Sequence, residues 1–142
     1  MLVTREELRK YQFLKLEIAT MQLQIEAMYI PVGSPPTEII GARPTTPGDP
    51  TAEAVQRIEA LQERMRRKIA EYVELTERIE MFVETVDDGY VRSIIRLHFL
   101  IGLTWRKTCE KVYGYNDPEV CRSAYNRYMS KREKEEEDAR PD

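Results

Sequence analysis

Histidine occurs once and cysteine only twice in these 142 residues, and that scarcity excludes most site chemistry at the outset. Cys109 and Cys121 have neither a CxxC spacing nor histidine partners at metal-ligand spacing, so no metal site is expected. Both fall on the apolar sides of helical patterns, where a thiol serves as a small buried hydrophobe. His98 lies in a largely apolar helical setting with no Ser or Cys arranged beside it as a nucleophile, which makes it a structural histidine. Glycine-rich phosphate loops and HExxH are missing too. An enzyme, a cofactor and a small-molecule substrate are therefore not expected. No apolar run approaches the roughly 18 residues a membrane span needs. The opening MLVTREELRKYQF places charges where a signal peptide would need an apolar core, so a cytoplasmic location is expected.

What the chain does have is helical periodicity. Hydrophobic residues make up 42% of it, enough for a core in one domain or two small ones. The first helix is predicted from about Glu6 to Tyr29. Thr4 and Glu7 are spaced as a capping box, with Val3 and Leu8 as a hydrophobic staple. Tyr11, Leu14, Ile18, Met21, Ile25 and Met28 follow a 3-4 alternation, and Phe13, Leu16, Leu23 and Ala27 add a second apolar row. Between Ile30 and Pro50 lie six of the eight prolines and three of the six glycines, which predicts an extended connector. Within it, Glu38-Ile39-Ile40 is an apolar patch that could dock on the helices or on a partner. A longer second helix follows, with Asp49 as cap and Pro50 at its first position. Its seam is Ala54, Ile58, Leu61, Met65, Lys68, Tyr72, Leu75, Ile79, Phe82 and Val86. Only Lys68 is polar, and a polar seam residue sets register at some cost in stability.

The two helices are expected to fold back as a long antiparallel, coiled-coil-like hairpin. Two helices cannot cover two apolar rows apiece between themselves. Self-association, most simply a dimer of hairpins, is therefore expected through Ile58, Leu61, Met65, Tyr72, Leu75, Ile79 and Phe82. Packing of the hairpin on the rest of its own chain is the competing explanation.

Three shorter helical patterns occupy 87–132, separated by Gly102-Leu103-Thr104 and Gly114-Tyr115-Asn116. Asp87-Asp88-Gly89 breaks the second helix ahead of them. Thr104 is placed to cap the middle helix; Asp117 and Pro118 open the third. A short helix, a tight glycine turn and a second helix make a helix-turn-helix candidate. On the third helix Val120, Cys121, Ala124, Tyr125, Tyr128 and Met129 share one side. Arg122, Ser123 and Asn126 fall on the other, flanked by Arg127 and Lys131. That side is either an ordinary solvated face or one that reads base edges, for which Arg and Asn carry the fitting donors and acceptors.

Charge weighs on the second alternative. Residues 88–132 hold nine Lys or Arg against four Asp or Glu, net +5; residues 1–87 hold eleven against fifteen, net −4, and 133–142 add −4, which returns the overall −3. An acidic chain that gathers its positive charge in one small helical unit presents a site for an anion, and duplex DNA is the partner with that footprint. Arg122, Ser123 and Asn126 are then the base-reading candidates. Arg106 and Lys107, in the first turn of the middle helix, are the phosphate candidates together with Arg127 and Lys131. Trp105, opening the middle helix beside an apolar core, reads as a packing anchor.

The run Arg96-Leu97-His98-Phe99-Leu100-Ile101-Gly102-Leu103-Thr104-Trp105, followed by Cys109 and Val112, resembles the start of a sigma-70 region-4-like helix-turn-helix. Its continuation, Gly114-Tyr115-Asn116, Val120-Cys121-Arg122 and Asn126-Arg127-Tyr128, resembles phage- and prophage-encoded regulators of that class. These are the ArpU/RinA-type late-gene regulators and related small phage proteins of unassigned function. Tyr113 departs from the pattern as an extra residue before the turn glycine. The resemblance implies sequence-specific DNA binding in transcription control, in a bacterial host cell, with RNA polymerase as a further partner.

The expectation is thus an all-α protein: residues 1–86 a helical hairpin with a Pro-rich loop at 30–50, residues 87–132 a three-helix helix-turn-helix unit, and residues 133–142 a disordered acidic tail. The function expected is a phage-type DNA-binding regulator. The alternative is a helical assembly protein, such as a DNA-packaging component resembling small terminase subunits.

Overall fold

The structure is a computed structural model, and it describes residues 2–29 and 51–141. Among these residues there are five helices and no strand: α1 (Arg5–Tyr29), α2 (Ala52–Thr85), α3 (Gly89–Ile95, continued by a π-helical segment Arg96–Ile101), α4 (Trp105–Tyr113) and α5 (Pro118–Ala139). The chain is all-α. The Pro-rich connector, its Glu38-Ile39-Ile40 patch, and Asp49 and Pro50 lie outside the described residues.

Each helix starts where a side chain can satisfy its free amides. The Thr4 hydroxyl accepts from the Glu7 amide at 3.2 Å, and Glu7 Oε1 accepts from the Thr4 amide at 3.2 Å, a complete capping box. Val3 and Leu8 beside it are both fully buried, as a staple requires. The cap of α2 is Thr51, whose hydroxyl accepts from the Ala54 amide at 3.1 Å. The helix therefore begins later than the Asp49-Pro50 start predicted above. Asp88 caps α3, Thr104 caps α4 and Asp117 caps α5, with Pro118 in the first turn.

The chain divides into two compact units. Residues 14–72 form one, a pair of helical segments with a small core of Ile25, Ile58 and Leu61, against which Met21, Met28 and Met65 pack. Lys68, the polar seam residue, is accounted for here: its ammonium meets Glu17 at 3.3 Å. Seam positions can hold a charge when the facing helix offers its counter-ion.

The other unit joins residues 1–13 to 73–142. This corrects the expected boundary at 86/87. Packing, not sequence continuity, decides it: Val3, Leu8 and Tyr11 at the start of the chain and Leu75, Ile79, Phe82, Val83 and Val86 at and just past the end of α2 are buried in the same unit as Val91, Ile94, Ile95, Phe99, Cys109, Cys121, Tyr125 and Met129. Within it Glu7 pairs with Arg78, and the Thr76 hydroxyl donates to the Tyr11 phenol at 3.2 Å. With Lys68–Glu17 in the other unit, these pairings put α1 and α2 in antiparallel register, as a hairpin.

Burial also revises the assembly argument. Ile58, Leu61, Leu75, Ile79 and Phe82 are at most 8% exposed, and Met65 and Tyr72 half-buried, in a single chain. The α2 seam is therefore filled by its own chain and requires no second copy. The second row of α1 is what stays open, with Leu16 and Leu23 more than half exposed.

The acidic end differs too. Instead of a disordered tail from 133, α5 continues to Ala139. Glu, Lys, Arg and Ala are strong helix formers, and Lys131/Glu135 and Lys134/Asp138 are spaced for i,i+4 attraction. Arg5 anchors the start of that extension by a salt bridge to Glu133 at 2.9 Å.

Candidate nucleic-acid interface

Two left-handed glycines shape the basic unit. Gly102 (φ 98°) ends the helix that carries His98, and Gly114 (φ 84°) ends α4. Only glycine adopts such angles at little cost. Before Gly102 the backbone widens to i→i−5 bonding, the Gly102 amide reaching the Leu97 carbonyl at 3.1 Å. Tyr113 does not disrupt the turn: it is the last residue of α4, Gly114 follows directly, and the ring stacks on Tyr90 at 5.1 Å. A four-residue turn, Gly114 to Asp117, then leads into α5, and α3, α4 and α5 all pack on one another.

The buried side of α5 is the one the periodicity assigned. Cys121, Tyr125 and Met129 are buried, and Val120, Ala124 and Tyr128 are half-buried. Burial pushes the Cys121 thiol up to about 12, reinforced by the neighbouring Cys109, so the pair behaves as packing and not as a reactive site. Thr108, fully buried and immediately before Cys109 in sequence, has a hydroxyl with no hydrogen-bond partner among the described residues.

The nine basic residues of 88–132 divide in their use. Arg92 donates to the Val86 carbonyl at 3.0 Å and Arg96 to Glu84 at 3.0 Å. Arg132 bonds the Tyr128 phenol at 2.7 Å and lies over the Phe82 ring at 5.2 Å, tying α5 to the end of α2. Arg122 pairs with Glu119 on its own helix. Arg106 and Lys107 on α4, Lys111 in the last turn of α4, and Arg127 and Lys131 on α5 are exposed and in no ion pair among the described residues. All four phosphate candidates belong to this free set. Lys111 joins them; its signal was available in the charge count but no periodicity singled it out.

The base-reading candidates do not stay together. Ser123 is exposed, whereas Arg122 and Asn126 are half-buried and line a cleft of about 260 Å³. They were expected on an open face. The difference arises because the first turns of α1, carrying Arg5, Arg9 and Gln12, cover that edge of α5. The floor of the cleft is aromatic: Trp105 stacks on His98 with centroids 3.7 Å apart, and Phe99 and Tyr125 meet it at 6.1 and 5.6 Å. Arg122 lies over the Trp105 ring at 5.8 Å. Trp105 is thus the anchor its position suggested, and it is also a wall of the cleft.

His98 has a structural task as well. Its Nδ1–H donates to the Leu103 carbonyl at 2.7 Å, bridging the glycine turn. Burial holds its pKa below the ordinary value; the Leu103 bond opposes this, and the Arg122 charge adds to it. The imidazole is therefore neutral near pH 7 and contributes no cation to the site.

No protein-family model, curated protein or solved structure matches this chain. Among the described residues no helix is long and apolar enough to cross a membrane.

Proposed function

We propose that this chain is a sequence-specific DNA-binding protein, a transcriptional regulator of phage type, which docks α4, the Gly114–Asp117 turn and α5 on duplex DNA as a helix-turn-helix. The observation that carries the proposal is that five exposed cations on α4 and α5, in the net-positive part of an acidic chain, are in no ion pair among the described residues. Arg106, Lys107, Arg127 and Lys131 neutralise backbone phosphates, a sequence-independent contribution. Ser123, in the second turn of α5, is the base-edge candidate that a groove reaches without displacing α1, with Arg122 and Asn126 at its flank. Self-association through the helical hairpin belongs to the same proposal. With the α2 seam filled internally, exposed α1 side chains such as Leu16 and Leu23 are the ones left to support it.

Binding to selected and scrambled duplexes across a salt series tests this directly. Arg106→Ala or Lys107→Ala weakens both duplexes alike and flattens the salt slope by about one unit. Ser123→Ala costs about 1 kcal/mol on the selected duplex only. Equal losses on both duplexes for Arg122→Ala would assign that residue to phosphate contacts and remove it from base reading.

A further inference from the structure

The cleft between the first turns of α1 and the start of α5 shares Arg122 and Asn126 with the flank of the duplex-binding proposal, and its lining is unusual for a structural gap. Three guanidinium groups converge on it, from Arg5, Arg9 and Arg122, with the amides of Gln12 and Asn126 beside them and no carboxylate in the lining. Two of the three are already oriented from outside it, Arg5 by Glu133 and Arg122 by Glu119. A guanidinium has five donors and a carboxylate engages two at most, so each keeps donors to spare. Arg9 is exposed and in no ion pair among the described residues. Like charges gathered this way repel one another, and an anion seated among them removes that penalty.

We infer that this cleft is a phosphate-binding site, in which Arg9 and Arg122 clamp a phosphate group from opposite helices while Gln12 and Asn126 donate to its remaining oxygens. A phosphate group fits better than a carboxylate because its terminal oxygens are tetrahedrally spread, which suits donors arriving from two helices and three arginines. The volume of about 260 Å³ is at or below the small end of ligand pockets, suited to a phosphate and its immediate substituent. Two sources supply that chemistry, a free phosphorylated small molecule and a backbone phosphate of a bound strand. The inference shares Arg122 and Asn126 with the docking of α4 and α5 on DNA and is set apart from it by Arg9 and Gln12 of α1, which that docking does not use.

Trp105 is the only tryptophan of the chain and forms a wall of the cleft, so its emission reports occupancy. The intact protein is titrated with inorganic pyrophosphate, with ATP and with a duplex oligonucleotide, at constant ionic strength, by Trp105 emission and by calorimetry. Duplex binding is followed separately by anisotropy. Arg9→Gln is the main variant: Arg9 is exposed, and an unchanged melting profile confirms its fold. Saturable binding of pyrophosphate or ATP, weakened about ten-fold or more by Arg9→Gln and by Asn126→Ala, supports a site for a free phosphorylated ligand. An emission change with duplex alone, lost in Arg9→Gln, supports the strand phosphate as occupant. The inference is overturned if no probe gives a heat or an emission change, or if Arg9→Gln responds as the wild type does. Duplex binding by anisotropy, with no Trp105 response to any of the three probes and no saturable heat from pyrophosphate or ATP, overturns the cleft and leaves the regulator proposal standing; pyrophosphate binding without duplex binding does the reverse.

Discussion

Replacing Ile79 by alanine tests whether the α2 seam is filled by its own chain. Ile79 is fully buried, as are its neighbours Phe82 and Val83. The substitution removes three carbons, about 2.4 kcal/mol of transfer free energy at roughly 0.8 kcal/mol per methylene. An added cavity contribution brings the expected loss to about 3–4 kcal/mol, within the range of such truncations. At roughly 3–5 °C per kcal/mol for a chain of this size, the melting midpoint falls by about 10–20 °C. Urea and thermal unfolding followed by circular dichroism measure it. Because the contacts lie within one chain, the loss is the same at low and high protein concentration. A loss below about 1 kcal/mol, or one present only where the protein is concentrated, would show that the seam is covered by a second copy and refute the assignment.

Three further outcomes are expected. Gly114→Ala destabilises by about 1–2 kcal/mol although an added Cβ meets nothing within 4 Å, since the cost is the left-handed backbone itself; an unchanged urea midpoint would contradict the turn geometry. Thr108→Val raises stability by about 1–2 kcal/mol, because it removes a buried hydroxyl without a partner, and a loss in the same unfolding assay would mean the hydroxyl is satisfied. His98 is held below its ordinary value of 6.5, so the unfolded chain binds the proton more readily than the folded one. Its contribution is complete above that value and is lost as pH falls from 6.5 through the lower folded pKa; melts at pH 7.5 and 5.5 show the drop, and His98→Gln flattens it if the assignment is right.

Local chemistry was legible in the sequence where one or two residues decide the backbone. The Thr4–Glu7 box, the Thr104 and Asp117 caps and the Gly102 and Gly114 stops each depend on atoms within a few positions of one another. The apolar side of α5 was legible for a related reason, since helical period fixes which side chains share it. What the sequence did not reveal depends on contacts between distant segments. Nothing in Leu8, Tyr11 or Arg5 says that the start of α1 packs against α5 as well as against α2. For that reason the domain boundary shifted, and Arg122 and Asn126 moved from an open face to a cleft. The seam residues were identified, but their periodicity is the same whether the partner helix is in the same chain or another. The π-helical segment carries no mark in its residue types, and the acidic stretch past Arg132 was misjudged because charge alone does not disfavour a helix when opposite signs alternate at i,i+4.

The measurement closest to the central claim is the affinity of the intact chain for duplex DNA as a function of salt. Four phosphate contacts, from Arg106, Lys107, Arg127 and Lys131, predict a slope of log affinity against log salt of about −3 to −4. Removing any one of them flattens it by about one unit. No binding at low salt, or a slope that these substitutions leave unchanged, would contradict the assignment of α4 and α5 as the DNA-binding face.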